Sequence, residues 1–238
     1  MARLLILRAE EEARRSAASL AALGHDAVVA PIVTCMPTGQ SIPAIDAVAL
    51  IATSARAIRC LNAGDVAGLA TVPFFAVGEA TATAARTAGF REVIEGGGQA
   101  EALVETILRS VAPPGPLLYL AGEPRWPTVE ATLHAAGFSL AVQVLYRMLP
   151  MDALPESTCR ALAENAPDAV LHYSAETAAL FVRLARRSAL ATEAARPVHL
   201  CLSQAIADAV AALPRVRTLV AERPLEAALF ELIRGLQG

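Results

Sequence analysis

The chain has 238 residues, enough for one large domain or two of ordinary size, and either would bury a substantial core. Its hydrophobic fraction of 55% with only 4% aromatic residues comes mainly from Ala, Leu and Val, which suit helices packed on a parallel sheet. The formal charge of −3 carries no basic run or stripe of the kind that marks nucleic-acid binding, and the lack of any lysine excludes Schiff-base chemistry, pyridoxal phosphate attachment and a P-loop lysine.

All positive charge is therefore Arg, whose planar fork suits carboxylates. No apolar run approaches the roughly 18 residues that span a bilayer, and residues 4–7 before Arg8 and Glu10, Glu11 and Glu12 are too short and too acidic for a leader, so a cytoplasmic location is expected. Cys35, Cys60, Cys159 and Cys201 are scattered without a C-x-x-C pair, which suggests neither a disulfide framework nor a metal site, and they read as small buried hydrophobes.

In chain order, residues 4–7 read as a buried strand and 10–23 as a helix with Ala17, Leu20 and Leu23 at helical spacing. Gly24 stops it, and 27–33 is the next strand. Residues 34–43 change abruptly to a linker composition. A strand over 46–52 runs into a helix through Leu61, then come a strand at 72–77, a helix at 79–88 ended by Gly89, a short strand at 91–94, Gly96, Gly97 and Gly98, and a helix at 100–108. Residues 117–148 replay the opening plan, with strand 117–120, helix 127–136, Gly137 in the place of Gly24, and strand 140–146. A second linker-like stretch at 150–155 precedes strand 169–173, a helix through Ala185, strand 198–202, a helix to Leu213, strand 216–220 and a last helix at 224–233.

Strands alternating with helices predict an α/β fold with parallel sheets, in which ligands bind beyond the carboxyl ends of strands at the switch in strand order. That rule selects Arg8, Thr53, Ser54, Gly78, Thr81, Gly122, Tyr173, Ser174 and Ser203 as candidate binding residues. Several lie at helix N-termini, whose free N–H groups favour anions, so the inferred ligand is anionic. Thr53-Ser54 and Tyr173-Ser174 read either as plain N-caps or as matched site groups of two similar halves. His172 and His199 fall on predicted strands, as core or edge residues, while His25 and His134 read as surface positions. Tyr146 ends a strand before a polar stretch, either as a half-buried aromatic or as a neutral proton donor. No G-x-G-x-x-G follows the first strand, where Arg8-Ala9-Glu10-Glu11 stands instead, which argues against an ordinary dinucleotide site.

Together these motifs resemble the uroporphyrinogen-III synthase family, through Leu7-Arg8, Ala52-Thr53-Ser54-Ala55-Arg56-Ala57, Phe75-Ala76-Val77-Gly78-Glu79-Ala80-Thr81-Ala82, Tyr119-Leu120-Ala121-Gly122, Val144-Leu145-Tyr146-Arg147, Leu171-His172-Tyr173-Ser174 and Val220-Ala221-Glu222-Arg223-Pro224. The resemblance implies two flavodoxin-like α/β/α domains joined by two linker strands: residues 1–35 with 152–238, residues 42–147, and linkers at 36–41 and 148–151. The first β-α-β should then pair with the last strands, and 117–148 should complete the sheet begun near Asp46. It implies cyclisation of hydroxymethylbilane, a linear tetrapyrrole polycarboxylate, to uroporphyrinogen III with inversion of ring D through a spiro intermediate. No cofactor, metal, nucleic acid or membrane is implied, and a monomer is expected. Tyr146 matches the family tyrosine proposed to assist departure of the hydroxyl, and Thr81 a hydroxyl found at a strand end in many members. Ile206 and Ala121 depart from the Gly-Thr and Arg that many relatives carry. The competing reading is a non-catalytic two-domain sensor of an anionic small molecule.

Overall fold

The computed structural model describes residues 1–125, 127–164 and 166–237. The chain divides into two compact units, Met1–Thr34 with Leu149–Gly238, and Cys35–Met148.

The first unit begins with β1 (Arg3–Ile6), α1 (Glu10–Ala22) and β2 (Asp26–Val29). Strand β3 (Val33–Pro37) leads into the second unit, which holds β4 (Ala49–Ala52), α2 (Ala55–Arg59), α3 (Ala63–Leu69), β5 (Phe74–Ala76), α4 (Glu79–Ala88), β6 (Val93–Glu95), α5 (Ala100–Ser110), β7 (Pro116–Glu123), α6 (Pro127–Ala135) and β8 (Ser139–Pro150). The first unit then resumes with α7 (Glu156–Glu164), β9 (Ala169–His172), α8 (Ala175–Arg187), α9 (Ala191–Ala194), β10 (Val198–Cys201), α10 (Gln204–Val210), β11 (Arg217–Val220) and α11 (Glu226–Glu231), closing in a 3₁₀ turn.

The first sheet has the order β11-β10-β9-β1-β2 and the second β3-β8-β7-β4-β5-β6. Leu4 pairs with Ala169 and Ala49 with Leu117, all in parallel register, so the opening β-α-β does join the last strands and 117–148 does complete the sheet begun by β4. In each sheet the direction of strand order reverses once, between β1 and β9 in the first and between β7 and β4 in the second. Helices cover both faces of each sheet, which explains why the strands are continuous apolar runs rather than alternating ones.

In the second unit Ile51, Phe75, Leu117 and Tyr119 face Leu103, Ile107, Val129 and Leu133 of α5 and α6. Leu50, Phe74, Leu118 and Leu120 face Ile58, Ala82 and Ala85 of α2 and α4. In the first, Leu4, Ile6, Leu171 and Leu200 pack under α1 and α11, and Leu5, Leu7 and Val170 under α7, α8 and α10. Each such side chain, taken fully out of water, contributes about 2 kcal/mol against the entropy of ordering the chain.

Three departures from the sequence reading have local causes. The strand expected over 27–33 ends as β2 at Val29, because Pro31 fixes φ at about −65°, away from the extended strand value, although the Ala30 and Ile32 N–H groups still reach the Ile6 and Leu7 carbonyls; β3 then joins the second sheet. Helix α3, not anticipated, starts at a reciprocal capping box in which Asn62 Oδ1 accepts from the Asp65 N–H at 2.9 Å and the Asp65 carboxylate accepts from the Asn62 N–H at 3.2 Å. Helices α7 and α9 are short and Ala-containing, and went unseen between the stronger elements. Of the expected linker residues, 36–37 belong to β3 and 148–150 to β8.

Candidate functional site

In the second unit the switch in strand order is closed by a hydrogen bond of 2.8 Å between the Thr53 hydroxyl and the Tyr119 phenol, joining the end of β4 to the middle of β7. Tyr119 is fully buried, and burial pushes its phenol up, only partly countered by the Thr53 contact. It therefore stands as a neutral hydroxyl. Sequence reasoning missed Tyr119 as a site residue, although a lone phenol inside the apolar run Leu117–Ala121 was a usable signal.

Two residues past Tyr119, after Ala121, β7 and β8 slip register. Ala121 pairs with Val144 and Gly122 with Tyr146, so Leu145 is an extra residue on β8. The bulge breaks the alternation of the strand, and Leu145 and Tyr146 both turn into the same apolar cluster. Tyr146 is buried at 5% exposure, more deeply than the half-buried aromatic considered from sequence. Its ring lies on Gly122: a Cβ there would sit 2.1 Å from Cζ. Beyond this pair, Arg147 Nε–H donates to Glu123 at 2.6 Å, and Arg125 bridges Glu123 and Glu130.

At the neighbouring strand end, Gly78 caps α4 and carries Thr81, buried in the first turn. The glycine loop folds against it, with Gly98 N–H on the Val77 carbonyl and Gly98 Cα 3.3 Å from where a Gly78 Cβ would stand. An open cavity of about 330 Å³ lies between the N-termini of α5 and α6, lined by Gly98, Gln99, Ala100, Glu101, Pro127 and Thr128. The unpaired N–H groups of two helix starts favour an anion there. Ser54 is occupied as the cap of α2, its hydroxyl accepting from the Arg56 N–H at 3.2 Å.

In the first unit the switch point is built by Arg8 after β1 and Tyr173 after β9. The Arg8 guanidinium lies 4.0 Å over the Tyr173 ring. Its Nη1–H donates to Glu226 at 3.3 Å and to Ser16 at 3.4 Å, and the Ser16 hydroxyl donates to the same carboxylate at 2.5 Å. The Tyr173 hydroxyl lies beside Ser16 and Glu226, is buried, and meets the geometry of a hydrogen bond with neither. Burial, with the Glu226 carboxylate alongside, pushes this phenol well above its ordinary value. Ser16 and Glu226 are 210 positions apart, and nothing in the sequence linked them. Ser174 caps α8, accepting from the Thr177 N–H at 3.2 Å, whereas Ser203 at the start of α10 makes no capping bond.

Behind this edge lie the two strand histidines. His172 and His199 are both buried, their ring nitrogens 2.8 Å apart, and the second ring nitrogen of His199 stands 2.9 Å from the Ala194 carbonyl. A carbonyl only accepts, so His199 Nε2 carries the proton there, His172 Nε2–H donates to His199 Nδ1, and His172 Nδ1 is left with a bare lone pair and no partner among the described residues. Of the cysteines only Cys201 is buried, and burial pushes its thiol up to about 12. The other three are half-buried.

The family model described as uroporphyrinogen-III synthase HemD matches residues 14–231, nearly the whole chain. The chain belongs to the uroporphyrinogen-III synthase family. A solved mutant uroporphyrinogen III synthase from the extreme thermophile Thermus thermophilus is 19% identical, with 100% of this chain and 99% of that one covered and a TM-score of 0.54. Uroporphyrinogen-III synthetase from Helicobacter pylori is 16% identical over 99% of this chain and 100% of that one, with a TM-score of 0.67. At these identities the likeness shows the fold. Among curated proteins none matches the chain. Uroporphyrinogen-III synthases are lyases of tetrapyrrole biosynthesis acting on a linear tetrapyrrole, and membership assigns that activity to this chain over the non-catalytic sensor. Among the described residues no helix is long and apolar enough to cross a membrane.

Proposed function

We propose that the protein closes hydroxymethylbilane to uroporphyrinogen III without a cofactor, steering the substrate rather than attacking it. Loss of the terminal hydroxyl gives an azafulvene that alone closes head to tail to the symmetric isomer. The productive route attacks through the substituted carbon of ring D, forms a spiro intermediate, fragments and recloses with that ring inverted. Because the substrate is already reactive, the protein must mainly separate competing barriers, and each tenfold of selectivity needs about 1.4 kcal/mol.

The observation that carries this reading is the placing of Tyr119 and Tyr173, both kept protonated by burial, beside the switch in strand order of each sheet, close to helix N-termini. Tyr146 is the catalytic residue of the proposal. Its hydroxyl donates a hydrogen bond to the departing hydroxyl as the C–O bond breaks. Arg8, Tyr173, Ser174 and Ser203 form the substrate-binding edge of the first unit and Thr53, Ser54, Gly78, Thr81 and Gly122 that of the second, with carboxylates received by backbone N–H groups and by Arg. The units Met1–Thr34 with Leu149–Gly238 and Cys35–Met148 are the two domains of this reading. A cytoplasmic monomer that binds no nucleic acid completes it, supported by the charge of −3 without a basic stripe.

The test is to feed purified protein freshly generated hydroxymethylbilane and separate the products by chromatography. Type III isomer in excess is expected, and type I alone would sink the reading. Tyr146→Phe should fold normally and turn over at least tenfold more slowly; a wild-type rate with normal selectivity removes Tyr146 from the mechanism.

A further inference from the structure

The Tyr146 ring is placed by two features that neither touch the phenol oxygen nor belong to Tyr146 itself. The first is an absence. An ideal Cβ on Gly122 would lie 2.1, 2.4 and 2.5 Å from Cζ, Cε1 and Cε2 of Tyr146, distances that no pair of non-bonded carbons sustains. The ring therefore lies flat against the Gly122 backbone, and any side chain at 122 must push it off. The backbone conformation of Gly122 does not demand glycine, since its φ is not among the positive values, so the need is for space alone.

The second feature is the bulge. In regular parallel register the residue paired after Ala121 and Val144 would be Leu145, and Tyr146 would turn to the opposite face of the sheet. The extra residue prevents this, and both of its flanking carbonyls are held by one residue outside β8. Thr38 N–H donates to Leu145 O at 2.9 Å and the Thr38 hydroxyl donates to Val144 O at 2.7 Å. Thr38 lies just past β3, in a segment whose composition suggested only a linker. Gln40, two residues on, continues the lacing by accepting from Gln143 Nε2–H at 3.0 Å.

We propose that Gly122 and Thr38 are positioning residues for Tyr146: the missing side chain at Gly122 is the seat of the phenol ring, and Thr38 holds the bulge that turns the ring onto that seat. The proposal rests on the reading of Tyr146 as the group that assists loss of the hydroxyl. It changes the role expected of Gly122 from a contact with substrate to a support beneath the catalytic side chain. A hydrogen bond from phenol to leaving group is sensitive to direction, and misplacement by about 1 Å can cost a hundredfold.

The experiment compares kcat, KM and the ratio of type III to type I product for Gly122→Ala, Thr38→Val, Thr38→Ser and Tyr146→Phe, and for the first two on the Tyr146→Phe background. Gly122→Ala is expected to lower kcat at least tenfold and Thr38→Val about threefold or more, with KM changed less than twofold. Thr38→Ser, which keeps the hydroxyl, should restore the wild-type rate. On the Tyr146→Phe background neither substitution should lower kcat by more than about twofold, because the oxygen they aim is already gone. Gly122→Ala within twofold of wild type, or full losses persisting on the Phe background, overturns the proposal. A slow Tyr146→Phe with a fast Gly122→Ala removes the seat and leaves the catalytic reading standing. A fast Tyr146→Phe beside a slow Gly122→Ala removes both. Should Gly122→Ala fail to fold, the contrast between Thr38→Val and Thr38→Ser decides by the same criteria.

Discussion

Arg8 holds its guanidinium 4.0 Å above the ring of Tyr173, across the seam where the strand order of the first sheet reverses. The same guanidinium meets Glu226, which also accepts the Ser16 hydroxyl. An Arg already stacked and paired is fixed in direction before a substrate carboxylate arrives, and its remaining N–H donors are presented together rather than as a mobile charge.

Arg8→Lys should therefore raise KM about tenfold while leaving the fold nearly as stable. Lysine keeps the charge but gives up the planar fork and most of the stacking. The ion pair is partly exposed, 30% at Arg8 and 39% at Glu226, so its loss should cost less than about 1 kcal/mol. Steady-state kinetics with a urea melt separate the two effects, and an unchanged KM would take Arg8 out of substrate binding.

The histidine pair predicts a pH dependence of stability unrelated to activity. Burial first, and then the neighbouring imidazole, hold His172 far below its ordinary value of 6.5, and burial holds His199 down to about 4. Both are neutral in the folded protein, whereas the unfolded chain takes up protons as pH falls through 6.5. The stability they contribute is thus complete above about 6.5 and is lost as pH falls toward 4, at up to about 1.4 kcal/mol per pH unit for each histidine. Urea unfolding at pH 7.5, 6.5, 5.5 and 4.5 should show a flat midpoint followed by a fall that begins well above carboxylate titration. A midpoint constant down to pH 4.5 would mean that the pair takes up protons without strain.

The order of elements was legible because it rests on apolar runs and glycine stops, which are local, whereas the pairing of 117–148 with the strand near Asp46 is non-local and came only with the family resemblance. Gly24, Gly89 and Gly137 all sit at helix ends with positive φ, where a side chain would be strained. The strand ends Arg8, Thr53, Gly78 and Tyr173 were legible for the same reason, since a strand end is a local event. Their partners were not. Glu226 reaches Arg8, and Thr38 reaches Leu145, only through tertiary packing, and neither residue type nor spacing foretells such contacts. Ser54 and Ser174 take the N-cap side of the alternative that the sequence left open, since both hydroxyls accept from their own helix.

The unforeseen helix α3 offers a control away from the candidate site. Asn62→Ala removes the half of the capping box in which the side chain accepts from the Asp65 N–H, leaving that first-turn N–H to water, while the backbone N–H at 62 can still donate to the Asp65 carboxylate. A loss of about 1 kcal/mol in unfolding free energy is expected, with kcat/KM unchanged. A drop in kcat/KM larger than twofold at a temperature where the variant is fully folded would show that α3 communicates with the substrate edge.

The bond between Thr53 and Tyr119 should show strong coupling, because the phenol is fully buried. Thr53→Val takes away the partner of a fully buried phenol, which then bears its desolvation uncompensated, about 1–3 kcal/mol. Tyr119→Phe leaves the half-buried Thr53 hydroxyl, which water can reach, and should cost less. The double variant removes donor and acceptor together and should be more stable than the sum of the single losses predicts, by roughly 1 kcal/mol. The same cycle reads function, since this pair joins β4 to β7 two residues before the bulge that carries Tyr146. If the bond fixes the strand end beneath the substrate, each single variant should release more type I product than wild type. Additive stability losses with an unchanged isomer ratio would reduce the pair to ordinary core filling.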